Sequence, residues 1–287
     1  MIIKKSIPGV RSVLAKAGHP RVLVPTMGGL HRGHRALINK ARRVAGDSGT
    51  VIVSIFVNPT QFGPTEDFSK YPRPFRQDSA LCEAAGADVL FAPEASRMYL
   101  PEFSVSVMEE SLSQTLCGLS RPGHFRGVGT VVAKLFHILQ PDIAIFGEKD
   151  WQQLAILNKM VRDLNFPVKM LAHPTVREPD GLALSSRNVY LSSQEREAAP
   201  SIYEILKNAA SLTSSPGQLT RKAREQLQKV PGARLDYLEL VDAETLQAAK
   251  DRKRPARLAT AVFFGKTRLI DNVPVPKLSP RQKKLKS

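Results

Sequence analysis

Short runs of aliphatic residues alternate with amphipathic helical patterns in the first half of the chain. The runs lie at residues 21–25, 51–57, 88–92, 142–146 and 168–172 and are rich in Val, Ile and Leu. Between them apolar residues recur at helical spacing, at Val128, Val131, Val132, Leu135 and Leu139 and again at Leu154, Leu157, Val161 and Leu164. Strands that alternate with helices predict an α/β fold, a Rossmann-like doubly wound parallel sheet.

The rhythm changes after about residue 176. A polar loop leads to a helical stretch from Ser193 to Leu212, a TSSPG turn and a second helical stretch. Two short strand-like runs follow, LDYLELV and LATAVFF. We predict a Rossmann-like domain over residues 1–175, a smaller C-terminal α+β domain over 176–278 and a basic tail over 279–287.

Composition narrows the class of protein. Of the 287 residues, 42% are hydrophobic and 24% charged, as in an ordinary globular protein. The two cysteines, Cys82 and Cys117, form no CxxC pair, which argues against a disulfide framework or a cysteine-built zinc site. No apolar run is long enough for a membrane span, and the first residues lack a secretory pattern. We therefore expect a cytoplasmic protein without a membrane partner.

The net charge of +16 raises the question of a nucleic-acid partner. Residues 250–287 hold 12 Lys or Arg against two Asp or Glu. A basic end of this kind can contact phosphates, but no aromatic residue interrupts the final PRQKKLKS to stack on bases. We favour a solvated tail and do not expect nucleic acid as the main partner.

The segment PTMGGLHRGH follows the first predicted strand. Gly28, Gly29 and Gly33 allow close approach of the backbone to a ligand, and we predict a helix start at Gly33, where free N–H groups suit phosphate. His31 and His34 are three residues apart, so both imidazoles can face one anion. A metal-binding pair is the alternative, although no third ligand has motif spacing. The other alternative is that His31 and His34 are ordinary polar residues without a ligand.

Two further segments begin near strand or helix ends. In VNPTQFG, Asn58 and Gln61 offer amide groups that can orient hydroxyls or a carboxylate, and a simple Asn-capped turn explains the spacing equally well. In RPGHFRGVGT, His124 and Arg126 are placed before a predicted helix start, where anions bind. His137 lies off the apolar stripe of that helix and is expected at the surface.

Two later segments carry groups that suit phosphates. In FGEKDWQQL, Lys149 can direct an ammonium at phosphate and Asp150 can cap a helix, with Gln152 and Gln153 in its first turn. A charged helix start without function is the alternative. In VREPDGLALSSRN, hydroxyls and a guanidinium form a good set for pyrophosphate, and a capped helix entry is the alternative. That set is Ser185, Ser186 and Arg187.

These five segments, in this order, resemble the pantothenate synthetase (pantoate–β-alanine ligase) family. The resemblance extends from about Arg21 to Asn272 and includes DYLELVDAETL and TAVFFGKTRLIDN. HRGH is similar to the HxGH signature of the wider nucleotidyltransferase superfamily, which alone does not choose a substrate. NPTQF, RPGHFRGV, GEKDWQQL and DGLALSSRN together select this family over its relatives.

The resemblance implies the ATP-dependent condensation of (R)-pantoate with β-alanine to pantothenate, AMP and diphosphate through a pantoyl adenylate. It implies that the C-terminal domain is a lid over ATP. The implied ATP contacts are Met27, Gly28, Gly29, Leu30, His31, Arg32, Gly33, His34, Gly147, Glu148, Lys149, Asp150, Val176, Leu184, Ser185, Ser186 and Arg187. Within this set the implied catalytic residues are His34, His31, Lys149, Ser185, Ser186 and Arg187, which donate to developing phosphate charge.

Substrate, metal and assembly are also implied by the resemblance. Pantoate contacts fall on Asn58, Gln61 and Gln153, and Gln61 also serves β-alanine. Mg²⁺ is expected to be held chiefly by ATP phosphates, with Asp78 as the protein-side candidate. A homodimer is the family expectation. The sequence departs from the usual pattern of this family at two positions. Gly29 stands where alanine is usual, and His137 stands where asparagine is usual.

Two other functions are compatible with parts of the sequence. A different adenylyl- or cytidylyltransferase would share HRGH and the Ser-Ser-Arg loop, but it gives no reason for Asn58, Gln61 and Gln153. A nucleic-acid binder would use the basic tail, and its binding would be sensitive to salt.

Overall fold

The computed structural model describes residues 1–64 and 66–278, and the predicted basic tail at 279–287 lies outside the described residues. Its strands are β1 (Ile2–Lys4), β2 (Arg21–Thr26), β3 (Thr50–Ile55), β4 (Val89–Phe91), β5 (Ile143–Gly147), β6 (Lys169–His173), β7 (Ala233–Asp242), β8 (Ala256–Phe264) and β9 (Thr267–Val275). Its helices are α1 (Ile7–Leu14), α2 (Arg32–Ala45), α3 (Phe75–Ala84), α4 (Ala95–Met98), α5 (Cys117–Ser120), α6 (His124–Leu139), α7 (Trp151–Asp163), α8 (Ser193–Ala198), α9 (Ser201–Ser211) and α10 (Pro216–Leu227).

The chain divides into two compact units. Unit 1 comprises Met1–Glu110, Arg121–Glu148 and Gln153–Val176, and unit 2 comprises Ser111–Ser120, Lys149–Gln152 and the chain from Arg177 onward. The division differs from a single cut after residue 175, because two short segments of the first half belong to unit 2. Lys149 and Gln152 thus fall in unit 2 and Gln153 in unit 1.

Unit 1 contains a six-stranded parallel sheet in the order β1-β4-β3-β2-β5-β6. This confirms the predicted doubly wound α/β fold and its five aliphatic strands. The aliphatic runs are buried because helices cover the sheet: Ile38, Ala41 and Ala45 of α2 pack on the strand residues Val22 and Val51. The strand order reverses between β2 and β5, so the segments that follow these two strands leave neighbouring carboxyl ends.

Unit 2 contains a three-stranded antiparallel sheet in the order β7-β8-β9, with α9 and α10 packed on it. Buried residues recur every three or four positions, so each helix presents one apolar face to the sheet. The predicted helical stretch from Ser193 to Leu212 is helical, but it is not one continuous helix. The stretch is split into α8 and α9 at Pro200, which lacks the N–H that a continuous helix requires.

Two strands lacked a recognisable sequence pattern. β1 is three residues long and pairs with β4, with Ile2 and Ile3 partly exposed at the sheet edge. β9 pairs with β8 over its whole length, yet Asp271, Asn272 and Pro274 interrupt its apolar residues. Among the described residues no helix is both long and apolar enough to span a membrane.

Candidate active site

The turn between β2 and α2 requires glycine at two successive positions. Gly28 and Gly29 have φ angles of 85° and 62°, in the left-handed region that side chains disfavour. Gly29 therefore suits its position, where the family that the sequence resembles usually has an alanine. α2 begins at Arg32, one residue before the predicted start at Gly33. This turn carries the segment Met27 to His34 at the carboxyl end of β2.

His31 and His34 form the N-terminal cap of α2. The Nδ1 atom of His31 accepts the backbone N–H of Gly33 at 3.1 Å, and the Nδ1 atom of His34 accepts that of His31 at 3.3 Å. The two ring centroids are 4.1 Å apart. Because each Nδ1 is an acceptor, each neutral imidazole carries its proton on Nε2. Both rings therefore have an Nε2–H group that can donate a hydrogen bond.

Asp78 fixes the backbone of the glycine turn through hydrogen bonds. Its Oδ2 accepts the N–H of Gly29 at 2.9 Å and its Oδ1 that of Leu30 at 2.8 Å. The side chain is buried, with 2% exposure, and burial raises the pKa of Asp78 although the two amide donors oppose this. The carboxylate thus fixes the backbone that leads into His31. This contact joins residues 49 positions apart, and no local sequence signal indicated it.

The fit of Asp78 to Mg²⁺ is incomplete. A carboxylate is a suitable ligand type, but both Asp78 oxygens already accept amide hydrogen bonds. In the part of the chain that the structure describes, no three His, Cys, Asp or Glu side chains cluster as metal ligands would. These residues do not form a protein cage for a cation, and metal binding by Asp78 stays a prediction.

Asn58 caps the short 3₁₀ turn Pro59–Gln61 and orients the Gln61 side chain. Its Oδ1 accepts the N–H of Thr60 at 3.3 Å and the hydroxyl of Tyr99 at 2.9 Å. Its Nδ2 donates to Gln61 Oε1 and to the carbonyl of Gly127, both at 3.1 Å. Both amide protons of Asn58 are thus used within the protein. The capped-turn alternative is correct, and Asn58 also orders Gln61. Direct contact of Asn58 with a substrate stays a prediction.

The main-chain carbonyl of Gln61 accepts two hydrogen bonds from the RPGHF segment. His124 Nδ1 lies 2.9 Å from this oxygen and Arg121 Nη2 lies 3.3 Å from it. Arg121 is held by both carboxylate oxygens of Glu66, at 2.7 and 2.6 Å. His124 and Arg126 were expected before the helix start, and this was wrong, because α6 begins at His124 and places both in its first turn. His137 is exposed, as expected.

Replacing Glu66 with Gln is expected to lower the free energy of unfolding by about 1 kcal/mol at neutral pH. Burial alone would raise the pKa of Glu66, but the Arg121 guanidinium holds it below its ordinary value of 4.5. A carboxylate with a lower pKa in the folded state stabilises the fold above its unfolded pKa. That contribution is lost as the pH falls through the folded-state pKa.

Urea denaturation of E66Q and the parent protein at several pH values measures this contribution. The difference between the two proteins should be full at neutral pH and shrink below about pH 4. E225Q is the control variant, because Glu225 lies on the exposed face of α10. Its Oε1 is 3.9 Å from Arg221 Nε. A difference for E66Q that does not change with pH would contradict the role assigned to Arg121.

Lys149 is anchored through its backbone in unit 2. Its carbonyl accepts Asn272 Nδ2 at 3.0 Å, and Asn272 Oδ1 accepts Arg257 Nη1 at 3.0 Å. The Arg257 guanidinium lies 3.7 Å from the centroid of the Trp151 ring. The Lys149 side chain is 19% exposed, and its Nζ is 4.0 Å from Asp150 Oδ2, a loose contact. The backbone is thus fixed by groups other than the ammonium.

The loop that holds Ser185 to Arg187 is tied to β9. Arg177, near the start of the loop, makes a bidentate ion pair with the buried Asp271, at 2.6 and 2.9 Å. Ser185 caps the 3₁₀ turn Ser186–Tyr190, and its Oγ accepts the N–H of Arg187 at 3.2 Å. The alternative prediction, a capped helix entry, therefore describes this loop correctly. Phosphate binding by Ser185, Ser186 and Arg187 stays a prediction. A small cavity is lined by Lys149, Ser185, Tyr203 and Asp271.

The two adjacent glutamines have different surroundings. Gln152 is buried and bonds main-chain groups of the segment 111–120: its Oε1 accepts the N–H of Cys117 at 2.9 Å, and its Nε2 donates to the carbonyls of Leu112 and Thr115. Gln153 is half-buried and belongs to unit 1. Gln152 thus has a structural role, which leaves Gln153 as the substrate candidate of the pair.

The predicted site residues are divided between the two units. Unit 1 brings Met27 close to Gln61, whose Nε2 lies 3.1 Å from the Met27 sulfur, and brings the glycine turn together with both histidines. Gly147 ends β5, Glu148 follows it and Val176 is the last residue of this unit. Unit 2 brings Lys149 and Ser185 to one cavity, with Leu184 buried beside Ser185. Sequence reasoning missed Glu66, Arg177, Arg257, Asp271 and the network role of Asn272.

Comparison with known proteins identifies the family. The sequence profile described as pantoate-beta-alanine ligase matches residues 3–274. A pantothenate synthetase from Akkermansia muciniphila is 50% identical over 255 residues, which cover 88% of this chain and 91% of that protein. These matches make the chain an enzyme of the ligase class. It belongs to the pantoate–β-alanine ligase family.

Solved structures agree with this assignment. The crystal structure of pantothenate synthetase from Thermus thermophilus has a TM-score of 0.91 and 47% sequence identity, and the match covers 96% of this chain and 100% of that one. A pantoate-beta-alanine ligase from Francisella tularensis, complexed with beta-gamma ATP and beta-alanine, has a TM-score of 0.79 and 38% identity over 95% of this chain and 97% of that one.

Proposed function

We propose that this enzyme forms pantothenate in two steps, with ATP as the activating substrate. First, a carboxylate oxygen of pantoate attacks the α-phosphorus of ATP, and diphosphate leaves with the electron pair of the broken P–O bond. Pantoyl adenylate results. The amine of β-alanine then attacks the acyl carbon, AMP leaves, and the amine loses a proton. The observation that carries this proposal is the family match over residues 3–274.

The His31 and His34 imidazoles are proposed as donors to the phosphates of ATP. Their Nδ1 atoms accept backbone N–H groups, so each Nε2–H can donate to phosphate oxygens that gain charge in the transition state. The rest of the glycine turn would supply backbone amides, which suit anions at a helix start. In unit 1 we assign ATP to Met27 through His34, Gly147, Glu148 and Val176.

The unit 2 residues are proposed to neutralise phosphate charge. Lys149 supplies a point charge, and Arg187 supplies a planar guanidinium that can bind two phosphate oxygens. Ser185 and Ser186 add hydroxyl groups to the same loop. Asp150 and Leu184 complete the set that we assign to ATP. Charge neutralisation of this kind assists departure of diphosphate in the first step.

Pantoate binding is proposed for Gln61 and Gln153. Asn58 donates to Gln61 Oε1, so the Gln61 Nε2 protons are directed elsewhere, and the nearby Met27 sulfur is only a weak acceptor. A hydroxyl or carboxylate oxygen is a stronger partner for these protons. We propose that Gln61 donates to pantoate and also serves β-alanine, with Asn58 as its support.

Mg²⁺ is proposed to bind with ATP through phosphate oxygens, where it would offset their negative charge. Asp78 contacts the glycine turn and is the candidate protein ligand for Mg²⁺, although both its oxygens accept amide hydrogen bonds. The residues present therefore favour a metal held mainly by the nucleotide. A D78N variant that keeps the Mg²⁺ dependence of the parent enzyme would exclude Asp78 as a ligand.

We further propose a homodimer and a cytoplasmic location. An exposed apolar run in unit 1 supports the dimer: Leu100, Val105 and Met108 are 59%, 76% and 54% exposed. Sedimentation velocity should then give about twice the chain mass of 31.6 kDa. A species of single-chain mass at micromolar concentration would exclude a stable dimer.

The overall reaction is tested by following AMP and diphosphate. Both should accumulate only when ATP, pantoate and β-alanine are all present. Pantoate alone should support isotope exchange between ATP and diphosphate, because the first step is reversible on the enzyme. Exchange that proceeds equally without pantoate would contradict the adenylate route and indicate another nucleotidyl transfer.

A further inference from the structure

Main-chain atoms of the turn Pro59–Gln61 pack directly against Gly127 in the first turns of α6. A Cβ atom at position 127 would lie 2.5 Å from the Thr60 carbonyl oxygen and 2.7 Å from Gln61 Cα. Because both are backbone atoms, no side-chain rotation can relieve the clash. Position 127 therefore accepts glycine only, unless the turn that carries Gln61 moves.

His124 fixes the same turn through a defined tautomer. The Gln61 carbonyl can only accept, so His124 Nδ1 carries the proton of that 2.9 Å bond. An arginine can only donate, so His124 Nε2 accepts the 3.0 Å bond from Arg121 Nη1. The imidazole is thus neutral and oriented at both ends. Arg121, held by Glu66, adds its own bond to the Gln61 carbonyl.

The Gln61 side chain is ordered by the same helix. Asn58 donates one proton to Gln61 Oε1 and the other to the Gly127 carbonyl. The helix start therefore determines the position of the Gln61 backbone and, through Asn58, which end of its amide is the donor. These contacts all lie within unit 1, and none of them is made by a residue that we assign to ATP.

We propose that Arg121, His124 and Gly127 are positioning residues that act through Gln61 and set the affinity of the enzyme for pantoate. This rests on the proposed role of Gln61 in pantoate binding. None of the three needs to touch a substrate. Their effect is expected in the KM for pantoate and not in the KM for ATP, because the contacts that they make converge on Gln61.

Gly127→Ala is the first test, by steady-state kinetics with pantoate and ATP varied separately. We expect a rise of about tenfold in the pantoate KM and a change below about twofold in the ATP KM. Alanine favours helix more than glycine, which offsets part of the cost of the clash, and thermal melting of G127A shows whether the fold is kept. Gly217→Ala is the matched control, because a Cβ on this helical glycine meets no atom within 4 Å. It should change neither constant.

A pair of His124 variants tests the hydrogen bond without adding volume. Asparagine places an amide nitrogen near the position of Nδ1 and can still donate to Gln61, whereas glutamine reaches toward the position of Nε2. We expect His124→Gln to raise the pantoate KM several-fold and His124→Asn to recover much of that loss. This order would hold even if G127A folded poorly.

Gln61→Ala separates this inference from the proposed function. If Q61A leaves the pantoate KM unchanged, the role of Gln61 itself is wrong. If Q61A raises it while G127A and H124Q do not, the positioning proposal is overturned. In the double variants, G127A and H124Q should add little to Q61A, since they act through that residue. If G127A and H124Q raise the pantoate KM by the same factor with Q61A as without it, the proposal is overturned.

Discussion

Replacing His34 with Asn is expected to lower kcat by about 10²- to 10³-fold while leaving the fold intact. The asparagine oxygen lies near the position of Nδ1 and can still accept the N–H of His31, so the cap of α2 is kept. The Nε2–H donor is removed. If that group stabilises charge on the phosphates, the loss falls on the transition state and so on kcat.

Replacing His34 with Gln is expected to keep much more activity than H34N. A glutamine at this position can accept the His31 N–H through Oε1, as Gln218 Oε1 accepts the N–H of Ser215 at the start of α10 at 3.3 Å, and its Nε2 is still a donor. Both variants should therefore keep the cap of α2, and only H34N should lose the donor. Initial rates and thermal melting of the two proteins measure activity and stability. If H34N is as active as H34Q, the donor role assigned to His34 Nε2 is wrong.

Local pattern was sufficient for the sheet of unit 1. The five aliphatic runs became β2 to β6 because strands covered on both faces must be apolar throughout. The same logic fails at the ends of the chain. β1 offers only three residues, and β9 combines Asp271 and Asn272 with its apolar positions because those polar groups bind Arg177 and Lys149. These two polar residues interrupt the apolar pattern of β9, so the sequence did not indicate the strand.

Local pattern was insufficient for the second layer of the site. Motif spacing indicated His31, Gln61 and Lys149, but not what holds them. Asp78 is 49 residues from Gly29, and His124 is 63 residues from Gln61. Contacts of this kind follow from how the strands and helices assemble, and neither hydrophobic period nor turn chemistry encodes them. The sequence placed His124 and Arg126 where anions bind, whereas the His124 ring contacts the Gln61 carbonyl and the Arg121 guanidinium.

Replacing Lys149 with Met is expected to lower the rate of the first step by about 10²-fold or more. Methionine keeps most of the length and apolar surface of lysine and removes the charge. The backbone at this position is held by Asn272, so the segment should stay in place without the ammonium. The loss then reports the electrostatic contribution of Lys149 to the phosphates. Pantoate-dependent isotope exchange between ATP and diphosphate measures it directly.

Lys159→Met is the matched control for this charge. Lys159 lies in α7 and pairs with Asp163 at 2.7 Å, outside the predicted site. K159M should exchange at the rate of the parent enzyme, since a surface pair of this kind contributes at most about 0.5 kcal/mol to stability. Lys149→Arg should recover part of the lost rate, because charge is kept while its geometry changes. Near-normal exchange in K149M would remove Lys149 from the catalytic set, and equal losses in K149M and K159M would indicate that net charge alone matters.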